Sequence, residues 1–496
     1  MLARQQSTIL EFALEWLFAF VLVLIARLPY LLSDHLFFDG DEAMVGIMGR
    51  DLITGKNLPF YFYGQRYGFS FFEALAAGIF IPFVGSTVWS LKFGGMLLFS
   101  LGIQRLLKAF RFTNQSQSSY FLLALVLVSF PAWMVWGTKL RGGYLTAFTA
   151  IAFIIETFIV HQAWCKRDWV KIAALSALTL VAQPLFILPV SFLIVSRLFQ
   201  SKKQDVIVGV LSGTTALIGL RALTYLNPDY WQHSMQFEFN FQTLKTHLSE
   251  QLISNFTGFF AFTDNYEVPE LVKFGAMAYL IILGIWIIYS IKTSNERKAI
   301  FLILAATLIS SVVIAFFSLA GGRYLLPFFT GILLIIVLIS TFEKKRILNT
   351  FLGLILLSTI PTLTGFDQYV SYWLEKNEPD MKRLNELVET LQSRGLTKGF
   401  VSEWQVLWQL NYLGNDEMAF RYQSLEDRVP RFVDAANECY VNPDCKTVLT
   451  GALWPLLGME KVDGWEQTIE RVNSRYYIME NPDRSFLNAG KFELPK

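Results

Sequence analysis

Long apolar runs separated by short polar turns set the pattern of this chain. A membrane crossing needs roughly 20 apolar residues. Runs of about that length cover Ile9–Tyr30, Val88–Leu107, Ser119–Gly137, Tyr144–His161, Val206–Tyr225, Val272–Ile291, Ala299–Leu319, Tyr324–Phe342 and Ile347–Gly365. Two shorter runs, Trp169–Gln183 and Leu185–Phe199, flank Pro184 and read as crossings or as a buried hairpin. The pattern predicts a polytopic α-helical membrane protein with about 11 transmembrane helices. From Asp367 the pattern changes. A helical face of Met381, Leu384, Leu387 and Leu391 closes at Gly395, and β-prone runs follow at Gly399–Ser402, Met418–Tyr422, Thr447–Leu449 and Tyr476–Met479. That alternation predicts a small C-terminal α/β domain, residues 367–496, after a membrane module of residues 1–366.

Composition agrees. Of 496 residues 53% are hydrophobic and 16% aromatic, and mean hydropathy is +0.42. Residues 1–366 carry 27 basic and 19 acidic side chains, and residues 367–496 carry 15 and 21. A net charge of +2 and the lack of a basic stripe with interleaved aromatics argue against nucleic acid as a partner. The first run lacks a small-residue cleavage site and reads as a retained anchor. Cys439 and Cys445 are close enough in sequence to form a disulfide in an oxidising compartment, or they are two separate thiols.

Charge placement gives the orientation, because short cytoplasmic loops collect Lys and Arg. The clusters Arg105/Lys108/Arg111, Lys166/Arg167, Lys202/Lys203, Arg297/Lys298 and Lys344/Lys345/Arg346 share one side if the N-terminus is cytoplasmic and Phe69–Pro82 does not cross. That segment, which carries Glu73, is expected to be re-entrant or interfacial within a first outer loop of residues 31–87. A second outer loop spans residues 226–271, and the C-terminal domain is placed outside. Within the spans, Glu156 and Arg221 are the charges that stand out, and no internal repeat is evident. A transporter or flippase of a lipid-linked glycan, the alternative reading, calls for repeats and midplane charges.

The chemistry concentrates on the outer side. Asp39, Asp41 and Glu42 follow the first span, and Asp41 is expected to cap a helix over Ala43–Ile53. An ionised carboxylate there suits deprotonation of a hydroxyl. A simple cap with solvated acids is the alternative. Lys139 and Arg141 lie in one outer turn and Arg323, with Tyr324, in another, against the positive-inside tendency. Such cations suit a phosphate, which Arg grips with two N–H groups, or else they anchor headgroups. Gln65 and Arg66 interrupt a run of aromatics. Asp39, Gln65, Arg66, Lys139, Arg141, Arg323 and Tyr324 are the candidate substrate contacts. No cofactor is called for by any motif. His233 and Glu238, with His247, are the candidates for holding a divalent metal ion, although their spacing matches no ligand pattern.

A retained first span followed by Asp41-Glu42 resembles the polyprenyl-phosphate-sugar-dependent glycosyltransferases of the GT-C fold, which include protein O-mannosyltransferases and lipid A aminoarabinose transferases. Phe-Tyr-Gly-Gln at Phe62–Gln65, Phe-Val-Gly at Phe83–Gly85 and Arg-Tyr-Leu-Leu-Pro at Arg323–Pro327 are similar to bacterial members. The resemblance runs from about Phe18 to Phe342. It implies an inverting membrane glycosyltransferase of the inner membrane with a polyprenyl-phosphate sugar donor and a lipid, glycan or protein acceptor. Asp41 would be the base, Glu42 would support it, and Arg141 and Arg323 would meet the carrier phosphate. The family often has a further acid at the start of the span after the Thr138–Gly143 turn. Leu140–Thr146 has none.

Overall fold

The computed structural model describes residues 2–32, 36, 38–65, 67–113, 116–161, 163–226, 270–293, 297–316, 325–364, 381–422, 427–453, 468–492 and 494. Its helices follow the apolar pattern closely. They are α1 (Leu2–Leu31), α2 (Gly40–Thr54), α3 (Phe71–Val84), α4 (Val88–Thr113), α5 (Gln117–Val128), α6 (Ala132–Trp136), α7 (Tyr144–Val160), α8 (Lys166–Ala182), α9 (Leu188–Leu198) and α10 (Lys203–Ala222). After residues 227–269, α11 (Glu270–Thr293), α12 (Arg297–Phe316), α13 (Leu326–Phe342) and α14 (Lys345–Thr364) continue the bundle. Ile9–Leu31, Val88–Thr113, Lys203–Leu226 and Glu270–Thr293 are long and apolar enough to cross a bilayer. On α1 and α10, Leu14, Leu17, Ile25, Val210, Leu211 and Ile218 are 56–65% exposed. Apolar side chains left so open on long helices match hydrocarbon rather than water.

The centre of the bundle is α4, which packs against α1, α3, α5, α7 and α13. Its glycines permit this. A Cβ at Gly94 would stand 2.8 Å from the backbone of α3, and one at Gly95 would stand 2.5 Å from the Thr138 carbonyl.

One expected span divides. Ser119–Gly137 is α5 and α6, interrupted at Ser129–Pro131, because proline cannot donate to the preceding turn and restricts the residue before it. Arg27 of α1 serves the broken helix. It is fully buried, donates to the carbonyls of Val128 at 3.2 Å and Trp133 at 2.8 Å, and lies 4.8 Å from the centre of the Phe99 ring. The spans are therefore less free of charge than their hydropathy implies.

The C-terminal region is a five-stranded mixed sheet with helices. In chain order it runs α15 (Met381–Ser393), β1 (Lys398–Val401), α16 (Trp404–Leu413), β2 (Ala419–Arg421), α17 (Pro430–Val441), β3 (Thr447–Ala452), β4 (Glu470–Arg471), β5 (Tyr476–Glu480) and α18 (Arg484–Ala489). The spatial order is β2-β1-β3-β5-β4, with β1 parallel to β2 and β3, and β5 antiparallel to both β3 and β4. The exposed two-residue β4 has no apolar alternation and escapes a pattern reading. Cys439 and Cys445 are joined. Removing that bridge with Cys439→Ala/Cys445→Ala should cost about 2 kcal/mol by the chain-entropy relation for so short a loop. Faster amide exchange along Thr447–Ala452 is the expected readout, and unchanged protection there would assign the bridge no stabilising role.

The sheet region does not stand apart from the helical bundle. Helix α16 lies along α2, where Gly46 is seated on the Tyr412 ring so closely that a Cβ would come within 2.4 Å. Arg50, 3% exposed, donates to the carbonyls of Asn411 and Tyr412 at 3.1 Å and pairs with Asp416 at 2.6 Å. Asp51 accepts both guanidinium arms of Arg431, at 2.7 and 2.9 Å, and the Tyr63 hydroxyl at 2.8 Å. Gln409 donates to the Phe38 carbonyl at 2.8 Å, one residue before the candidate acids.

Candidate active site

The site assembles at the N-terminus of α2. Asp39 is in extended backbone and is the N-cap, its side chain accepting the Glu42 N–H at 2.9 Å. Asp41 was expected in that role. Gly40 already has helical backbone, so the cap falls two residues earlier and Asp41 lies in the first turn. The positive end of the helix dipole faces both carboxylates.

The turn between α6 and α7 brings the cations. Arg141 bridges the two acids, at 2.8 Å to Asp39 and 2.7 Å to Asp41, and Lys139 reaches Asp39 at 3.2 Å. Both cations lie against Trp136, 5.2 and 5.8 Å from its ring centre. Burial pushes the Asp39 carboxyl up, but Arg141, Lys139 and the Glu42 N–H together outweigh it and hold the group well below the usual carboxylate range. Asp41 keeps a side chain 20% open to the surroundings, against 5% for Asp39. That difference leaves Asp41 as the acid with access.

Glu42 points away. It is fully buried and pairs with Lys92 of α4 at 2.6 Å, both side chains wholly enclosed. Burial holds its carboxyl above the ordinary range although Lys92 pulls against this. The two neighbouring acids thus have separate surroundings, as the roughly 100° between adjacent helix positions requires. Lys92 is a partner that hydropathy conceals. It stands within an apolar run, where an ionisable residue is itself a signal for a built polar site.

Gln65 stands at the tip of a short hairpin closed by the Tyr61–Phe69 bridge, with its N–H bonded to the Phe62 carbonyl at 3.0 Å. Among the described residues, no hydrogen bond or ion pair joins it to the acid cluster. Its neighbour Gly64, with φ +74°, backs onto Arg428 of the sheet region instead. Arg66, His233, Glu238, His247, Arg323 and Tyr324 lie outside the described residues. Among the described residues no group of three or more His, Cys, Asp or Glu is placed to hold a metal ion.

The site and the Arg105/Lys108/Arg111 cluster lie towards opposite ends of α4 and α7. Gly143, before the first turn of α7, is beside the acid cluster. Glu156 near the other end of α7 pairs with Lys108 at 3.1 Å and Arg105 at 3.5 Å, and Arg111 pairs with Glu15 at 2.9 Å.

This arrangement of helices with a packed sheet region is the GT-C glycosyltransferase fold. Among solved structures it is shared with ArnT, the lipid A aminoarabinose transferase, from Cupriavidus metallidurans. The form bound to undecaprenyl phosphate aligns with TM-score 0.57 at 13% identity, over 95% of this chain and 98% of that one. The apo form aligns with TM-score 0.53 at 12% identity, over 97% and 99%. An oligosaccharyltransferase from Archaeoglobus fulgidus aligns at 0.46 with 12% identity, over 92% of this chain and 71% of that one. No family model and no curated protein matches the sequence. The fold and the apolar helices make this a multi-pass membrane protein.

Proposed function

We propose that this chain is an inverting glycosyltransferase that moves a sugar from a polyprenyl-phosphate donor to a hydroxyl of a lipid, glycan or protein at the extracytoplasmic face of an inner membrane. One observation carries the reading: Arg141 bridges Asp39 and Asp41 at a helix N-terminus, so a proton acceptor and a phosphate-binding cation meet in one place. The acceptor hydroxyl gives its proton to Asp41 while its oxygen bonds to the anomeric carbon. The bond from that carbon to the phosphate oxygen breaks, and polyprenyl phosphate leaves with the electron pair toward Arg141 and Lys139, with Arg323 as a further cation. Undecaprenyl phosphate is the carrier of choice, because the structural neighbour ArnT was solved bound to it.

Topology supports the same reading. With the basic clusters cytoplasmic, the N-terminus is cytoplasmic and the acid cluster faces outward. Helix α3 stays on that face, because a crossing there would carry Arg105/Lys108/Arg111 and Lys166/Arg167 to the outer side. About eleven crossings in residues 1–366 then bring the sheet region of residues 367–496 outside, where a disulfide persists. Purified protein in nanodiscs, given undecaprenyl-phosphate sugars and candidate hydroxyl acceptors, should release undecaprenyl phosphate in step with acceptor glycosylation. Fusion reporters placing residue 41 in the cytoplasm would overturn the reading.

A further inference from the structure

Beneath the cations lies a buried carboxylate to which the proposed reaction assigns no task. Glu73, in the first turn of α3, is fully enclosed. One of its oxygens accepts the Gly143 N–H at 3.0 Å, and the other accepts those of Leu145 at 2.9 Å and Thr146 at 3.4 Å. These are the free donors at the start of α7, so a side chain from another helix caps it. The stretch Leu140–Thr146 has no acid of its own, and the fold supplies one.

The contacts form a ring. Helix α2 carries Asp39 and Asp41 and packs on α3, where a Cβ at Gly49 would come within 2.6 Å of the Ala74 carbonyl. Helix α3 carries Glu73. Glu73 holds the start of α7, and the turn just before it returns Arg141 to Asp39 and Asp41. Other grips act on the same turn. Gln183 donates to the Gly142 carbonyl at 2.7 Å, and Gly143, at φ +90°, is wedged between the carbonyls of Ala182 and Phe69.

We propose that Glu73 is a positioning residue for the phosphate side of the site: its carboxylate, capping α7, fixes the turn that aims Lys139 and Arg141 at the leaving group. This rests on the glycosyl-transfer reading and adds a residue that acts through Arg141 without touching substrate. In Glu73→Gln an amide replaces one accepting oxygen and sets a donor against a backbone N–H, so the turn loses its register.

A double-mutant cycle on undecaprenyl phosphate binding in nanodiscs tests it. Glu73→Gln should weaken binding roughly tenfold, the scale of one misaligned charge-assisted hydrogen bond, and should raise the donor KM more than it lowers kcat. In an Arg141→Gln background the same change should have a clearly smaller effect, limited to what Lys139 still supplies. Glu73→Asp enters the same cycle, with the same expectation, if the glutamine variant fails to accumulate. Unchanged binding, or losses that simply add, would overturn the role. If the wild-type chain does not bind undecaprenyl phosphate, both this role and the functional reading fall. If binding depends on Arg141 but not on Glu73, this role alone falls.

Discussion

Asp41→Asn should lower sugar transfer by about 10²–10⁴-fold, the usual contribution of a positioned general base, with little change in the amount of folded protein. The variant is informative because of where the side chain stands. Asp41 lies in the first turn of α2, and its side chain is 20% open. Asparagine has the same shape and still offers Arg141 an oxygen to bond, so the helix start survives while the proton acceptor is lost. Asp39→Asn is a poorer probe. Asp39 caps the helix and binds both cations in a buried setting, so its loss confounds folding with chemistry. Initial rates in membranes, normalised to protein, decide the matter. Turnover by Asp41→Asn at the wild-type rate would remove Asp41 as the base. Retained binding of undecaprenyl phosphate alongside lost transfer would separate proton abstraction from donor recognition.

Much of the architecture is legible because a bilayer imposes a length on apolar runs. The helices Val88–Thr113, Tyr144–Val160 and Glu270–Thr293 lie within a few residues of the runs that announce them. Strands β1, β2, β3 and β5 are equally local, each a short β-prone run between turns. The acids after the first span and the cations of the α6–α7 turn are also visible, as charges at membrane exits. Hidden from the sequence are pairings between residues far apart in the chain. Lys92 lies 50 positions from Glu42, and Glu73 lies 70 or more from the amides it caps. Arg27 answers carbonyls more than 100 residues away, on either side of the break at Ser129–Pro131. In each case the local signal was a charge inside an apolar segment, which hydropathy averages away. The docking of α16 on α2 is hidden for the same reason. Gly46 reads as a weak point in a helix until Tyr412 is seen to occupy its surface. That docking also means that removing residues 367–496 would uncover Arg50 and Asp51, and would disturb the acids as well as any acceptor contacts.

Lys92→Met should destabilise the fold by about 3–5 kcal/mol, the cost of leaving one member of a buried ion pair without its partner. Glu42 and Lys92 are both completely enclosed and 2.6 Å apart. With the ammonium gone, Glu42 must either remain charged in a dry cavity or take up a proton, and each course costs free energy. Glu42→Gln in the same chain should recover most of the loss, because a neutral amide beside a methionine leaves no charge to solvate. The denaturation midpoint in detergent, measured for the single variants and the double variant, reads out the coupling. The comparison also separates two roles for Glu42. If the pair only holds α2 against α4, the double variant should transfer sugar at nearly the wild-type rate once folded. If Glu42 supports Asp41 electrically, the restored protein should remain slow. A Lys92→Met chain as stable as wild type would mean that the Glu42 carboxyl is already neutral in the fold, and that the acid cluster draws its negative charge from Asp39 and Asp41 alone.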